Sequence, residues 1–480
     1  MKEEQTPLVG DIAEEAPAVQ PEPGAAAAEG KKHGGFTGKL GFVLAAAGSA
    51  VGLGNLWRFP YLAAQYGGGM FLLCYIVLAV TFGFSLLVLE IAIGRKTGKG
   101  VIGAFAALNK KFKWFGFICL VVPIIIVPYY SVIGGWVLKY FFAFLVGDSA
   151  LVGAGADTSA YFSSFISNAW QPLVFFLIFA AGTILVVVFG VQKGIERVSK
   201  ILMPILAVLA VFLAIYAMCQ PGALEGVKKL FVPDFADFRP QTLLAALGQL
   251  FYSMSLAMCI MITYGSYMKK NASVQSSGRQ ISICDTLFAI FAALIIIPSI
   301  YSVAGSGEAA AEAMSKSGPS LMFEVLPRIF NGMFGGRIIG IIFFILVLFA
   351  ALTSSISLVE TIVAVLRENC NIKRWAACLI VFGVMLVLGI LSSLGFGVYS
   401  DEKAEKGEHV GSDYAANSII MPLVAIGTCI IAGFFVDVNI LMDEIGLKSK
   451  AGRMYFKIMI RFVAPICMAA IFISGIFPIL

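Results

Sequence analysis

The chain has 480 residues, of which 59% are hydrophobic and only 13% are charged, and its mean hydropathy is +0.92. A soluble globular protein carries about 25% charged residues, so this composition excludes a soluble enzyme and indicates insertion in a membrane. The two histidines, His33 and His409, both lie in polar segments, which argues against a buried histidine-based catalytic or metal centre. The nine cysteines are spaced singly, without the paired spacing of a zinc site or a disulfide framework.

The first 35 residues are acidic and then rich in Ala, Pro and Gly. They lack the apolar stretch between a basic start and a cleavage site that marks a signal peptide. Residues 1–35 are therefore predicted to be a disordered cytoplasmic tail, and residues 36–480 a single transmembrane domain.

Hydrophobic segments long enough to cross a bilayer recur from Gly41 onward. Most of the 34 Lys and Arg residues fall in alternate connecting segments, which predicts a cytoplasmic N-terminus and an extracytoplasmic C-terminus in the inner (plasma) membrane. This bias accounts for the net charge of +6 without a nucleic-acid partner. Eleven spans are predicted, at residues 41–66, 68–93, 114–147, 171–190, 199–219, 242–268, 281–304, 337–367, 374–395, 415–436 and 456–478.

The first span contains unusual residues at mid-membrane depth. Gly48 and Gly52 have the Gly-x-x-x-Gly spacing of closely packed helices. Packing does not explain Asn55 and Arg58, because an Arg inside a span costs several kcal/mol, on the order of 3, unless it meets a partner or water. An unwound segment explains both features, since it frees backbone C=O groups for a cation and N–H groups for an anion.

Polar residues also interrupt later spans. Ser253 and Ser255 lie in the sixth span, five helices after the first, which is the spacing of two inverted five-helix repeats with a site between them. Asp285 in the seventh span is expected to face a cation or a cavity, because a lone carboxylate does not face lipid. The Thr353-Ser354 pair in the eighth span remains ambiguous, since hydroxyls often bond to their own helix.

These segments resemble the neurotransmitter:sodium symporter family, in its eubacterial LeuT-like branch. The stretch GSAVGLGNLWRFP from Gly48 to Pro60 carries most of the resemblance, supported by GQLFYSMS at Gly248–Ser255, AALTSS at Ala350–Ser355 and the Gly194/Pro204 pair. The resemblance implies an all-α membrane protein with a LeuT-type 5+5 inverted repeat and broken first and sixth helices. The repeats would span residues 41–219 and 242–436, with an additional helix at 456–478.

The resemblance also implies two sodium sites. One sodium site would use Ala50, Asn55, Ser253, Asp285 and the carboxylate of the substrate. The second would use Gly48, Val51, Ala350, Thr353 and Ser354.

The substrate would lie between the two broken spans. Its carboxylate would meet Leu53, Gly54 and Tyr130, and an apolar lining would receive a hydrophobic or aromatic side chain. Gly52 matters for the substrate class, because amine-carrying relatives have an aspartate there. The residues expected to bind substrate are Ala50, Gly52, Leu53, Gly54, Ile126, Tyr130, Tyr252, Ser253, Ser255, Met258, Ser354 and Leu358.

Gate residues follow from the same resemblance. Arg58 and Asp413 would form the outer gate, with Gln249 beside them and Tyr252 as a lid. Tyr267 and Glu368 would belong to the inner gate. Four differences from the family pattern stand out. His33 and Phe36 replace the usual Arg and Trp, Ala257 and Cys259 replace glycines, Tyr252 replaces Phe, and Asp285 replaces the Asn of chloride-dependent animal relatives.

The sequence therefore predicts a sodium-coupled importer of a small neutral, hydrophobic or aromatic L-amino acid, working by alternating access without chloride, and not an enzyme. Two alternatives stay open. One is an amino-acid-binding membrane sensor without coupled transport, and the other is a sodium-coupled transporter of a non-amino-acid amine or an indole. The identity of the amino acid, the sodium stoichiometry and the oligomeric state are not predicted.

Overall fold

The computed structural model describes residues 35–305, 308–315, 318–396 and 415–476. It divides the chain into two units, Met1–His33 and Gly34–Leu480, and everything described below belongs to the second. The tail predicted at residues 1–35 lies, apart from Gly35, outside the described residues.

Eleven helical spans follow one another in the described ranges, at the positions that hydropathy predicts. Nine of them are long and apolar enough to cross a membrane as single helices, and the bent first span makes a tenth. The sixth span consists of two shorter helices of 14 and 7 residues. The spans are Lys39–Ala50 with Gly54–Gln65, Gly69–Thr97, Lys110–Val146, Gln171–Val188, Val191–Met218, Pro240–Ser253 with Ile260–Ser266, Val274–Ala304, Gly336–Cys370, Arg374–Phe396, Ala415–Phe435 and Lys450–Ile476.

Short helices connect several spans. Each is too short to cross a bilayer, which takes about 20 residues. They are Val101–Leu108, Thr158–Ser167, Ala223–Phe231, Glu308–Ser315, Leu326–Asn331 and Val438–Ile445.

The first span is interrupted near its middle. Its first helix ends at Ala50, the next residue, Val51, has an extended backbone (φ −75°, ψ 90°), and a π-helical turn begins at Gly54. The two halves meet at an angle of 51°. Backbone groups that leave a helix inside a membrane need other partners, so the break must line a cavity or a binding site.

The sixth span is interrupted between Ser253 and Ile260. Ser255, Ala257 and Cys259 all have positive φ, at 53°, 58° and 64°. Such left-handed residues cannot continue a right-handed helix, so the span ends and restarts here. The interruption faces the break of the first span, because Ser255 Oγ donates a hydrogen bond to the Ser49 carbonyl (3.0 Å).

Glycines bring the second span into close contact with the second helix of the sixth, Ile260–Ser266, which is called the inner half here after its predicted orientation. A Cβ at Gly94 would lie 1.9 Å from the Ile262 carbonyl oxygen, and one at Gly265 would lie 2.5 Å from the Ile91 carbonyl oxygen. Each glycine therefore accommodates the backbone of the other helix. This glycine interlock (Gly94 and Gly265) holds the inner half of the sixth span against the second span.

Candidate substrate and ion sites

A cavity lies between the two broken spans and the third and eighth spans. Every residue predicted to bind substrate lines it. The cavity is also lined by three residues that are not predicted to bind substrate: Ser49, Asn55 and Ile260. The roles of these residues as ligands stay predictions, but the fold brings them together around one space.

One end of the cavity is polar. The Leu53 N–H lies at the start of the second half-helix and donates a hydrogen bond to Tyr130 Oη (3.4 Å). Gly52 borders the same space, where an added Cβ would lie 2.9 Å from Ser354 Oγ and 3.1 Å from Tyr130 Oη. Backbone N–H groups at the start of a half-helix favour an anion, so this end suits a carboxylate.

The rest of the lining is mostly apolar. Ile126, Met258, Ile260 and Leu358 are all at least 95% buried. The Ser49 hydroxyl also lies at this cavity and has no hydrogen-bond partner among the described residues. A ligand with an apolar body and a polar end fits this distribution.

Asp285 lies at the centre of a buried hydrogen-bond cluster. Its Oδ1 accepts from Ser253 Oγ (2.6 Å) and Asn55 Nδ2 (2.8 Å), and its Oδ2 accepts from Tyr75 Oη (2.9 Å). Asn55 Oδ1 also lies 3.0 Å from Ser253 Oγ. Asn55, Ser253 and Asp285, three of the four residues predicted for the first sodium site, therefore contact one another, and Ala50 lines the adjoining cavity.

The residues predicted for the second sodium site also meet. Ser354 Oγ lies 3.4 Å from the Gly48 carbonyl oxygen and 3.5 Å from that of Val51. A Cβ at Gly48 would lie 3.3 Å from Thr353 Cβ, and Thr353 Oγ1 donates within its own helix, where the Ala350 carbonyl oxygen lies 3.1 Å away. A set of neutral oxygens of this kind suits a hard cation such as Na⁺.

Among the residues predicted for the outer gate, the Arg58 guanidinium lies over the Tyr252 ring, 5.6 Å from its centroid. Gln249 is fully buried and donates to the Gly54 carbonyl (3.1 Å). Asp413, the predicted partner of Arg58, lies outside the described residues. Tyr252 thus lies between the cavity that it lines and the Arg58 guanidinium, and its role as a lid stays a prediction.

The two residues predicted for the inner gate have different partners. Tyr267 Oη donates to Glu360 Oε1 (2.8 Å), and Glu360 also forms a salt bridge with Arg374. Glu368 accepts a hydrogen bond from the Gly100 N–H (2.6 Å). Tyr267 is thus connected to the eighth span and, through Glu360, to the ninth. Glu368 is connected to the loop after the second span.

Glu90 of the second span holds the break of the sixth. Its Oε1 accepts from the Ala257 N–H (2.7 Å) within a fully buried environment. The carboxylate thereby binds a backbone group that the interruption of the helix leaves without a helical partner.

Two of the site residues were missed from the sequence. Tyr75 resembles any other aromatic residue of an apolar span, so only the packing shows its contact with Asp285. Glu360 could have been identified from the sequence, because a carboxylate inside a span is rare and almost always pairs with another group.

Comparisons with known proteins show which family the chain belongs to. The model of the sodium:neurotransmitter symporter family matches residues 33–151 and 164–479. The chain belongs to this family. Its members are transporters, so the prediction that the protein is not an enzyme is confirmed.

Similar proteins match between 56% and 92% of this chain. A sodium-dependent transporter of Bacillus subtilis, YhdH, is 36% identical over 92% of this chain and 97% of its own length. The neutral amino acid transporter B(0)AT1 of mouse, described as sodium-dependent, is 30% identical over 56% of this chain and 46% of its own length. The crystal structure of MhsT in complex with L-phenylalanine is 36% identical, with a TM-score of 0.81, and covers 92% of this chain and 99% of that one.

These similarities establish the fold and the general activity. The family member described here is an all-α, multi-pass membrane protein with the LeuT-type inverted repeat and broken first and sixth helices, as predicted. It is a sodium-dependent transporter.

Proposed function

We propose that this family member imports a small neutral, hydrophobic or aromatic L-amino acid together with sodium, by alternating access and without chloride. The observation that carries the proposal is the cavity, which joins a polar end beside Leu53 and Tyr130 to an apolar lining of Ile126, Met258 and Leu358. L-phenylalanine, the ligand of MhsT, has this combination of a charged end and an apolar body.

Gly52 supports an amino acid rather than an amine. An aspartate at this position would fill the space next to Ser354 and Tyr130 and would supply a negative charge there. With glycine, the same space is open to a carboxylate carried by the substrate. An amine or an indole would leave the Leu53 N–H without an anion.

We also propose two sodium sites. The first is built from Ala50, Asn55, Ser253 and Asp285 and is completed by the substrate carboxylate. Because sodium and substrate would share that carboxylate, each would strengthen binding of the other, which is the coupling a symporter needs. The second, at Gly48, Val51, Ala350, Thr353 and Ser354, joins the first span to the eighth.

Asp285 supports independence from chloride. Its carboxylate is fixed by Ser253, Asn55 and Tyr75, so a negative charge already sits beside the first sodium site. A chloride ion would bring a second negative charge into the same buried cluster, at a large electrostatic cost. Relatives with Asn at this position lack the fixed charge.

The orientation and domain limits are part of the proposal. The start of the first span, the loop after the second span and the segment around Lys448, Lys450 and Arg453 would face the cytoplasm, because the basic residues concentrate there. Residues 36–480 would form the transport domain.

The test is thermal stabilisation of the purified protein by a panel of amino acids and amines in NaCl, sodium gluconate and KCl. Stabilisation by L-phenylalanine or a similar amino acid in both sodium salts, and not in KCl, is expected. Stabilisation that is equal in KCl would contradict the coupled mechanism and favour a sensor. Stabilisation by an amine or indole alone would overturn the substrate class.

A substitution at Asp285 tests independence from chloride. Asp285→Asn in proteoliposomes is expected to lose uptake in chloride-free buffer, with Cys284→Ala, one residue earlier in the span, as a control. Full chloride-free uptake by the Asn variant would refute the role of Asp285.

A further inference from the structure

Residues 35–38, called here the entry segment, precede the first span and are held by two other spans. Gln192 Nε2 of the fifth span donates to the Gly35 carbonyl (2.7 Å), and the Phe36 N–H donates to the Tyr267 carbonyl of the sixth (3.1 Å). The Thr37 N–H donates to Glu196 Oε2 (2.8 Å), and the Thr37 hydroxyl bonds to Glu196 Oε1. The fifth span thus binds this segment at both Gly35 and Thr37.

The first span lacks the usual means of stabilising its own N-terminus. Its N-cap is Gly38, which offers no side-chain hydrogen bond, and its first turn contains no acidic residue. Helix N-termini are stabilised by side-chain acceptors and by nearby negative charge. Glu196, from a different span, supplies both.

The local structure of the fifth span brings Glu196 to this position. Gly190 has φ of +90°, and the span begins with a π-helical turn, Val191–Glu196, that ends at the carboxylate. The Glu196 side chain is 1% exposed, whereas Thr37 lies at the surface. Thr37 can therefore leave toward water while Glu196 stays in place.

Glu196 keeps a charged partner when Thr37 leaves. Lys200 Nζ, one turn along the same helix, lies 2.6 Å from Glu196 Oε1. An unpaired buried carboxylate would be strongly unfavourable, so a contact that had no such partner could not open easily. Lys200 Nζ also lies 3.3 Å from Thr37 Oγ1, which completes a three-residue cluster.

The first span has a space that the Glu196 carboxylate fills. A Cβ at Gly41 would lie 2.1 Å from Glu196 Oε1 and 2.4 Å from its carboxyl carbon. Any larger residue at Gly41 would push the carboxylate out of the cluster.

We propose that Glu196 is a positioning residue of the inner gate, which holds the start of the first span against the fifth when the inner side is closed and releases Thr37 when that side opens. This inference rests on the alternating access proposed above. It gives the inner gate a carboxylate contact to the entry segment itself, in a chain where Glu368 instead binds the Gly100 N–H.

The test is hydrogen–deuterium exchange of the full-length protein in lipid nanodiscs, in sodium without substrate. In Glu196→Gln, the peptides that cover residues 36–44 are expected to exchange about tenfold faster, which corresponds to the loss of one charge-assisted hydrogen bond. Arg197→Gln is the matched control, because it removes a charge at the next position, from an exposed side chain. Exchange in the third and eighth spans should not change in either variant, which shows that the fold is intact.

A second variant leaves Glu196 itself unaltered. Gly41→Ala is expected to accelerate exchange over the same peptides, because the methyl group displaces the carboxylate. If residues 36–44 exchange at the native rate in both Glu196→Gln and Gly41→Ala, the inference is wrong. Sodium-dependent stabilisation by L-phenylalanine is measured separately on the native protein, so a failure of the proposed substrate or ion coupling is distinguishable from a failure of this contact.

Discussion

The two broken spans are interrupted by different physical means. In the first span the residues of the break need space, since a side chain at Gly52 would meet Ser354 and Tyr130, and one at Gly54 would lie 2.6 Å from the Tyr252 ring. Neither glycine has a positive φ. In the sixth span the break contains no glycine, and three residues with side chains adopt positive φ.

The first break therefore depends on space beside its backbone, whereas the sixth break depends on a strained backbone. A positive φ costs a residue with a side chain on the order of 1–2 kcal/mol, so the sixth span must be held open by its surroundings. Glu90 does this by accepting from Ala257, and Ser255 adds its bond to the Ser49 carbonyl. The first break is therefore suited to take a substrate, and the sixth is fixed by its neighbours.

The largest expected effect comes from filling the first break. Gly52→Ala should weaken binding of L-phenylalanine about 10- to 100-fold, because overpacking of this size costs about 1–3 kcal/mol. Binding in sodium is measured with labelled ligand on purified protein. Gly182→Ala is the control, since no atom lies within 4 Å of a Cβ at that position. Equal affinities in the two variants would show that the space beside Gly52 is not used.

The next effect comes from removing the hydrogen bond that stabilises the break of the sixth span. Glu90→Leu leaves the buried Ala257 N–H without its acceptor, and the free energy of unfolding should fall by about 1–3 kcal/mol. Glu90→Gln retains an oxygen that can accept this bond and should recover most of the loss. Thermal unfolding of the three proteins in the same detergent measures the effect. Equal losses for Leu and Gln would mean that the hydrogen bond to Ala257 does not stabilise the break.

A smaller effect distinguishes strained from helical backbone. Ala257→Gly relieves the left-handed conformation and should raise the free energy of unfolding by about 0.5 kcal/mol, after the greater flexibility of glycine in the unfolded chain is subtracted. Ala47→Gly, in the helical part of the first span, should lower it by about 1 kcal/mol. Opposite signs in one thermal-unfolding series are the expected result. A loss of stability in both variants would contradict the assignment of strain to Ala257.

The smallest effect concerns the attachment of the inner half of the sixth span. Glu444 accepts from Arg95 Nε (2.6 Å), at the end of the second span, and from Lys270 Nζ (3.1 Å), just after the sixth. Burial alone would raise the pKa of Glu444, but the hydrogen bonds and charges of Lys270 and Arg95 outweigh it and hold the pKa below its ordinary value of 4.5. Glu444 therefore stabilises the folded protein fully above about pH 4.5, and this contribution is lost as the pH falls through the folded pKa.

Glu444→Gln should accordingly remove at most about 1 kcal/mol at pH 7 and flatten the fall in stability below pH 4.5. Thermal unfolding between pH 3.5 and 7 compares the variant with the native protein, and Glu225→Gln, in the short helix Ala223–Phe231, is the control. An unchanged acid profile in the Glu444 variant would show that this attachment does not matter for stability.

The spans could be predicted from the sequence because the bilayer dictates their length and their lack of charge. The glycines and Asn55 marked the first break for the same reason, since each is costly at that depth without a structural role. The ligand assignments around the cavity came from family resemblance. The position of Asp285 inside an apolar span predicted that it faces a cation or a cavity, but the sequence did not show which residues contact it.

The sixth break shows where sequence reasoning ends. Ser255, Ala257 and Cys259 are not residue types that favour a left-handed backbone, so their conformation follows from the fold around them. Tyr75 and Glu196 are similar cases. Their partners are 210 and 159 positions away in the chain, and only packing brings Asp285 and Thr37 to them.

The glycine interlock has a consequence for how sequences of this kind can change over evolution. Because Gly94 and Gly265 each face the backbone of the other helix, neither position has room for any side chain, whatever its chemistry. A substitution at one cannot be compensated by a smaller residue at the other, since both are already glycine. The second span and the inner half of the sixth must therefore be inherited as a matched pair, and a chimera that exchanges only one of them with a relative keeps its fold only if the donor carries glycine at the same place.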